Sequence, residues 1–380
     1  MTSLGGYLRN INYKIAFRVD ASHKIGTGHV MRCLALAGEL MDRGAEVMFI
    51  CRELPGNMCV YLVEKGLQVF RLPANPMECC DDDTTPHALW VGVSSSRDRE
   101  GTFSILLQYR PDWLVVDHYA LDAAWESAMR LHVGKIMVID DLADRPHDCD
   151  LLLDQNLYKG LERRYEGLVP DHCERLLGPR YALLRPEFAA ARKTLRRRDG
   201  HVRRIFIFFG GSDLSNETAK ALEAIRLMNR SEIAVDVVVG ASNPKGDRIR
   251  EICQGMPNTR FHLQVGNMAE LMALADLAIG AGGTTTWERC CLGLPTLALV
   301  LADNQREVAE AMSAAGAMRN VGWHADVTST GLAEALRMAL ASPDRLNAMS
   351  ERSLAIMGGP DAPSGVECIS DRLTSAYADS

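Results

Sequence analysis

The sequence predicts an α/β protein built from two Rossmann-like domains in tandem, with a ligand crevice between them. Three observations predict it. Short β-rich runs alternate with helical stretches in both halves, most of those runs end in an acid or a polar loop, and glycine-rich turns follow runs in each half. A chain of 380 residues also exceeds what one hydrophobic core usually organises.

In the first half the predicted strands are FRVD (17–20), EVMFI (46–50), WLVVD (113–117), KIMVID (135–140) and LLLD (151–154). Between the first two, VMRCLALAGELMDRG carries apolar residues at helical spacing, with Gly44 as the stop. The basic, non-periodic segment 191–204, with a turn at Gly200, reads as a linker. After it the pattern restarts with IFIFFGGSD (205–213), VDVVVG (235–240), TRFHLQV (259–265), DLAIGAGGTTTWE (276–288) and PTLALVL (295–301). The expected organisation is therefore a first domain over 1–190, the linker, a second domain over 205–355, and a terminal helix and tail over 356–380 that packs back on the first domain. The runs at 78–83 and 97–100 read as surface, and the tail beyond Asp371 as polar enough to fray.

Composition narrows the function classes. With 47% apolar residues, 24% charged residues and a net charge of −7, the chain is an ordinary globular protein with no bulk attraction for nucleic acid. The eleven cysteines show no CxxC and no metal-finger spacing, and HxxH and HExxH are absent, so neither a disulfide framework nor a metal site is expected. No apolar stretch reaches membrane-spanning length and no signal peptide stands at the start, which points to the cytoplasm. The expected partner is a small molecule, with no cofactor, and the expected state is a monomer.

GTGHVMRC (26–33) places a histidine after a glycine turn and at the start of a helix, where a loop at a strand's carboxyl end faces the crevice. Either His29 is a base, with Gly28 a contact to substrate, or Gly26 and Gly28 serve only the turn and His29 caps or packs it. The dinucleotide fingerprint fails because Arg32 and Cys33 stand where small residues would admit a pyrophosphate. Asp20, ending the first strand, either orients His29 or caps the turn, and Tyr119 in VVDHY either holds water or sugar or packs an edge. His118 reads as structural.

The second domain carries the candidate nucleotide contacts. Gly210, Gly211 and Ser212 follow a strand, where backbone N–H groups can meet phosphate oxygens, and Gly282, Gly283 and Thr284 repeat the arrangement. Glu288 either accepts from ribose hydroxyls or caps a helix, and Trp287 reads as packing. Asn304 and Gln305 present neutral groups suited to sugar hydroxyl or acetamido contacts.

GTGHVMRCLALA, VVDHY, DQNLYKGLERRYEGLVP, GPRYALLRPEF, FFGGSD, AGGTTTWE and DNQ occur in this order along nearly the whole chain. Together they resemble the UDP-2,4-diacetamido-2,4,6-trideoxy-β-L-altropyranose hydrolases of pseudaminic acid biosynthesis. The resemblance implies a glycosyltransferase B fold, and release of UDP and free sugar by water attack on the anomeric carbon with inversion. It implies a role in making the nonulosonic acid of flagellins and surface glycans. It also implies that His29 is the catalytic histidine, with Tyr119, Glu288 and Asn304 at family positions. The competing readings are a related transferase or hydrolase acting on another UDP-sugar, and a binding protein without turnover.

Overall fold

The computed structural model describes residues 13–74, 87–359 and 362–375. Among these residues the chain forms two sheets in which every strand pair is parallel. The first sheet takes β1 (Lys14–Val19), β2 (Glu46–Arg52), β3 (Gln68–Leu72), β4 (Trp113–Asp117), β5 (Lys135–Ile139), β6 (Leu151–Asp154) and β7 (Glu174–Leu177) in the order β3-β2-β1-β4-β5-β6-β7. The second takes β8 (Arg204–Phe208), β9 (Ala234–Val239), β10 (Thr259–Leu263), β11 (Leu277–Ala281), β12 (Thr296–Val300) and β13 (Arg319–Trp323) in the order β10-β9-β8-β11-β12-β13. Each order reverses direction after its third strand. Ligand crevices in such sheets open at the carboxyl ends of the two strands flanking that reversal, here β1 with β4 and β8 with β11.

Parallel strands buried on both faces need apolar residues at consecutive positions, and the sequence supplies them. In β8, Ile205 and Ile207 enter one cluster of the second unit, with Val237 and Ile279, while Phe206 enters the other, with Ala278 and Trp287. In the first unit Ala16, Met48, Leu114, Val138 and Leu152 share one cluster. No disulfide joins the nine cysteines among the described residues, and eight of them are buried as small hydrophobes.

Three strands went unread in the sequence: β3, β7 and β13. All lie at sheet edges, and each is partly exposed, so none shows a continuous apolar run.

The chain divides differently from the expectation. One unit comprises the chain up to Asp154, Glu162–Leu177 and the segment from Val366 onward; the other comprises Gln155–Leu161 and Gly178–Gly365. The expected linker belongs to the second unit, because Arg198 is buried there and donates to the backbone carbonyls of Met272, Ala275, Leu292 and Gly293. The helix Gly365–Ser375 ties to the first unit through Tyr13 Oη to the Thr374 carbonyl and Arg43 to Asp371.

The charged run 97–100 is likewise not simply surface. Asp98 is fully buried and accepts from Arg18, Arg52 and the Trp125 indole, an interior network that no local pattern announces. The stretch 78–83, with Cys79 and Cys80, and the end of the tail lie outside the described residues.

Candidate active site

In the first unit the chain leaves β1, turns at Gly26 with φ +79°, and enters the helix Gly28–Asp42. The positive φ is the reason a glycine stands there. The helix runs because VMRCLALAGELMD has a buried face of Val30, Cys33, Leu36, Ala37 and Leu40, and it stops at Gly44, φ +88°. His29 is its second residue and Arg32 lies three positions on, so both project from one side.

That side meets the end of β4. His29 Nδ1 stands 2.5 Å from Asp117 Oδ1. Arg32 grips the same carboxylate with two nitrogens, Nε to Oδ2 and Nη2 to Oδ1, each at 2.7 Å. Its Nη1 reaches Asp141, which also accepts from the Tyr119 hydroxyl at 2.7 Å. The Tyr119 ring sits edge-on to His29 at 4.6 Å, with Trp90 and His87 each 5.5 Å from Tyr119. A relay of five side chains thus runs from Tyr119 through Asp141, Arg32 and Asp117 to His29.

The electrostatics follow from that geometry. Burial would push the Asp117 carboxyl up, but Arg32 and His29 beside it hold it well below the usual carboxylate range. Burial and the charge of Asp141 push the Tyr119 phenol up, so it remains a donor. A carboxylate on Nδ1 favours the tautomer that carries its proton there, and in that tautomer Nε2 holds the lone pair.

Asp20, read as either orienting His29 or capping the turn, has its contacts elsewhere. It accepts from Arg18 at 2.7 Å and from the Arg52 N–H at 2.6 Å, and stands 3.3 Å from His118 Nε2. Both hydrogen bonds fall on Oδ1, and the buried Oδ2 faces His118 rather than His29. His118 is buried, with Nδ1 accepting from the Ala120 N–H at 3.1 Å, and burial lowers its pKa.

In the second unit Gly210 takes φ +92° after β8, and Gly211 and Ser212 are exposed. Gly240 is a glycine because a Cβ there would fall 2.3 Å from the Gly211 carbonyl oxygen, and Ser242 Oγ donates to that oxygen. Asp213 is not free for a ligand: its two oxygens accept from the N–H groups of Glu217 and Thr218, opening the helix Glu217–Met228.

After β11 the chain passes Gly282 and Gly283 into the seven-residue helix Thr285–Cys291. The Gly282 N–H is spent on the Leu299 carbonyl. Of the three threonines, Thr284 is exposed, whereas Thr285 and Thr286 accept from Arg289. Glu288 Oε1 accepts from Arg185 at 3.2 Å, while Oε2 is buried and has no partner among the described residues. Burial pushes this acid up, against the pull of Arg185. Gln305 packs against Gly282 and Gly283 and accepts from the Leu301 N–H; Asn304 is exposed beside it. Trp287 is buried, its indole N–H given to Asn156.

Sequence reasoning missed Arg32, Asp117, Asp141, Arg185 and Arg289 as site residues. The three-residue spacing of His29 and Arg32 was the one signal that could have joined two of them.

No helix among the described residues is long and apolar enough to cross a membrane, and no three His, Cys, Asp or Glu side chains among them converge as a metal site. Residues 205–363 match the glycosyltransferase family 28 C-terminal domain. The chain is 28% identical to the UDP-2,4-diacetamido-2,4,6-trideoxy-β-L-altropyranose hydrolase of Campylobacter jejuni, over 78% of this chain and 94% of that protein. It is 32% identical to the spore coat polysaccharide biosynthesis protein SpsG of Bacillus subtilis, over 38% of this chain and 43% of that one. Among solved structures it superposes on MurG of Acinetobacter baumannii with a TM-score of 0.63 at 13% identity, over 96% of this chain and 99% of that one. The two parallel Rossmann-like units are therefore those of a glycosyltransferase B fold.

Proposed function

We propose that the chain is a UDP-sugar hydrolase that cleaves UDP-2,4-diacetamido-2,4,6-trideoxy-β-L-altropyranose to UDP and the free sugar, with inversion at the anomeric carbon. The observation that carries this reading is the fixed imidazole: His29 held through Nδ1 by Asp117, itself gripped by Arg32. A general base must keep its acceptor nitrogen turned toward a water, and a buried carboxylate on the far nitrogen does that while stabilising the imidazolium that forms. The 28% identity to the Campylobacter hydrolase over 94% of its length supports the same substrate class.

In this reading the first unit carries out the chemistry and the second holds the nucleotide. Water gives its proton to His29 Nε2 as its oxygen bonds to the anomeric carbon, and the bond from that carbon to the diphosphate oxygen breaks. UDP leaves as an already ionised phosphate anion, so N–H groups at Gly210, Gly211 and Ser212 stabilise it where an acid would have little to do. Glu288 Oε2, buried and unpartnered, suits a ribose hydroxyl, and Tyr119, Gln305 and Asn304 are candidates for sugar contacts.

The match to a glycosyltransferase domain favours a second reading, transfer to an acceptor other than water. One experiment separates them. The purified protein is incubated with the UDP-sugar in oxygen-18 water, without acceptor, and both products are followed by NMR. Release of UDP and reducing sugar together, with the label on the sugar, supports hydrolysis. Binding without release, or turnover only when an acceptor sugar is added, overturns it.

A further inference from the structure

Six arginines are buried in the described residues: Arg18, Arg32, Arg52, Arg145, Arg198 and Arg289. Four have carboxylate partners: Arg18 meets Asp20 and Asp98, Arg32 meets Asp117 and Asp141, Arg52 meets Asp98, and Arg145 meets Asp140 and Asp144. Arg198 has four backbone carbonyls, several at helix ends where the backbone carries partial negative charge.

Arg289 has neither. It is 1% exposed, and its guanidinium donates only to neutral groups: the Ala281 carbonyl at 2.6 Å, Thr286 Oγ1 at 3.0 Å and Thr285 Oγ1 at 3.1 Å. Its Nε is buried with no partner among the described residues. Burial of an unpaired cation is costly, and a methionine or leucine would fill the space without that cost. Burial drags the Arg289 pKa down to about 10 against the weaker opposing pull of Cys290 and Glu288 beside it, which still leaves it charged at neutral pH.

Its position gives that charge a use. Nη1 lies against the backbone of Gly280, where a Cβ would fall 2.8 Å from it and 2.5 Å from the Phe208 carbonyl oxygen. The guanidinium therefore sits at the carboxyl ends of β8 and β11, directly before the two glycine turns that follow those strands. This is where the topology opens the crevice of the second unit.

We propose that Arg289 is a positioning residue for the diphosphate of the nucleotide: a buried cation that the fold leaves without an ion-pair partner so that a bound anion completes its compensation. It acts without touching the ligand, through its field and by locking the Thr285 and Thr286 hydroxyls and the Ala281 carbonyl beneath the turn. The inference rests on the UDP-sugar reading and adds to it a source of positive charge that is independent of backbone N–H groups. A field of this kind separates charged from uncharged ligands: at an effective dielectric of about 20, a unit charge one loop's thickness away changes the affinity of a dianion about tenfold or more.

The test is calorimetric titration of the full chain with UDP and, separately, with uridine, which has the base and ribose but no phosphate. Arg289→Met is expected to weaken UDP about tenfold or more while leaving uridine unchanged. Arg289→Lys is expected to restore part of the UDP affinity near pH 6. A buried lysine loses its proton at lower pH than an exposed one, so UDP affinity in that variant should fall relative to wild type as the pH is raised to about 9, with uridine level. UDP and uridine shifted alike in Arg289→Met would mean a purely structural role and overturns the proposal. Should that variant not fold, Arg289→Lys decides alone: a pH profile for UDP that parallels its uridine profile overturns it. Wild-type protein that binds neither ligand defeats the UDP-sugar reading itself, and this proposal with it.

Discussion

The two strand-end regions solve opposite problems with the same topology. Around β1 and β4 every buried charge is answered from within the chain: Asp117 has His29 and Arg32, Asp20 has Arg18, and Asp98 has Arg18 and Arg52. Around β8 and β11 one buried charge is not answered, because Arg289 has no acid at ion-pair distance among the described residues. Single buried atoms without a hydrogen-bond partner occur in both regions, Asp20 Oδ2 and Arg52 Nε in the first and Glu288 Oε2 and Arg289 Nε in the second. A region whose charges are mutually satisfied is rigid before any ligand arrives, which a catalytic base requires. A region whose charges are unsatisfied is completed by its ligand, which binding requires. The contrast is what the proposed division rests on, with chemistry in one unit and recognition in the other.

The sharpest way to break that assignment is His29→Asn. Turnover should fall about a thousandfold, within the range of a lost general base, while UDP affinity stays level. Unchanged turnover would take catalysis away from the first region.

Next comes a paired substitution that asks which acid serves the histidine. Asp117→Asn should cost about a hundredfold in kcat, because an amide on Nδ1 no longer stabilises the imidazolium. Asp20→Asn should leave kcat within about threefold yet lower the melting temperature, since it strips Arg18 of one partner in a dry interior. The reverse ranking would restore Asp20 as the orienting group.

On the recognition side, Glu288→Gln should weaken UDP and uridine alike by about tenfold, as expected for a lost charged hydrogen bond to ribose. Titration with both ligands checks it, and a loss confined to UDP would move Glu288 away from the ribose. This pattern is the complement of the one expected for Arg289.

The smallest effects are on stability against pH. Asp20, Asp98, Asp117 and Asp140 of the first unit are all held below their ordinary 3.8 after burial is outweighed by their cationic partners. Each therefore contributes stability that is present above pH 3.8 and is lost as the pH falls toward the folded value. In the second unit burial raises Asp213 and Glu288, so protonating these two buried acids adds stability as the pH falls. Tryptophan emission from Trp113 and Trp125 should report unfolding of the first unit below about pH 4 before Trp287 reports the second. At the alkaline end His147, buried between Glu126 and Asp140, is raised from 6.5 to about 9 because those acids outweigh desolvation. Its contribution is complete below pH 6.5 and fades as the pH rises through 9, and His147→Gln should flatten that slope.

Much of the fold was legible because it is written in short-range pattern. Each strand buried on both faces is a short β-rich run, and Gly26 and Gly210 mark turns where φ must be positive. Those signals need only neighbouring residues. Edge strands β3, β7 and β13 escaped because exposure dilutes the pattern, and Asp98 escaped because a buried acid inside a charged run looks like any other acid.

By itself, then, the sequence determined two parallel α/β units, the strand-end turns and the placement of His29 at the head of a helix. Only the tertiary structure decided which groups meet. Asp20 and Asp117 both stand at the ends of adjacent strands, and Val19 pairs in register with Asp117, so either acid lay within reach of the histidine on local grounds. Helix direction sent His29 and Arg32 to Asp117 and left Asp20 to Arg18. Likewise Arg185 and Glu288, 103 residues apart, and Arg289, without an acid, owe their state to packing. A backbone conformation is selected by the chain's nearest neighbours, whereas the partner of a buried charge is selected by whatever the fold brings within about 3 Å of it.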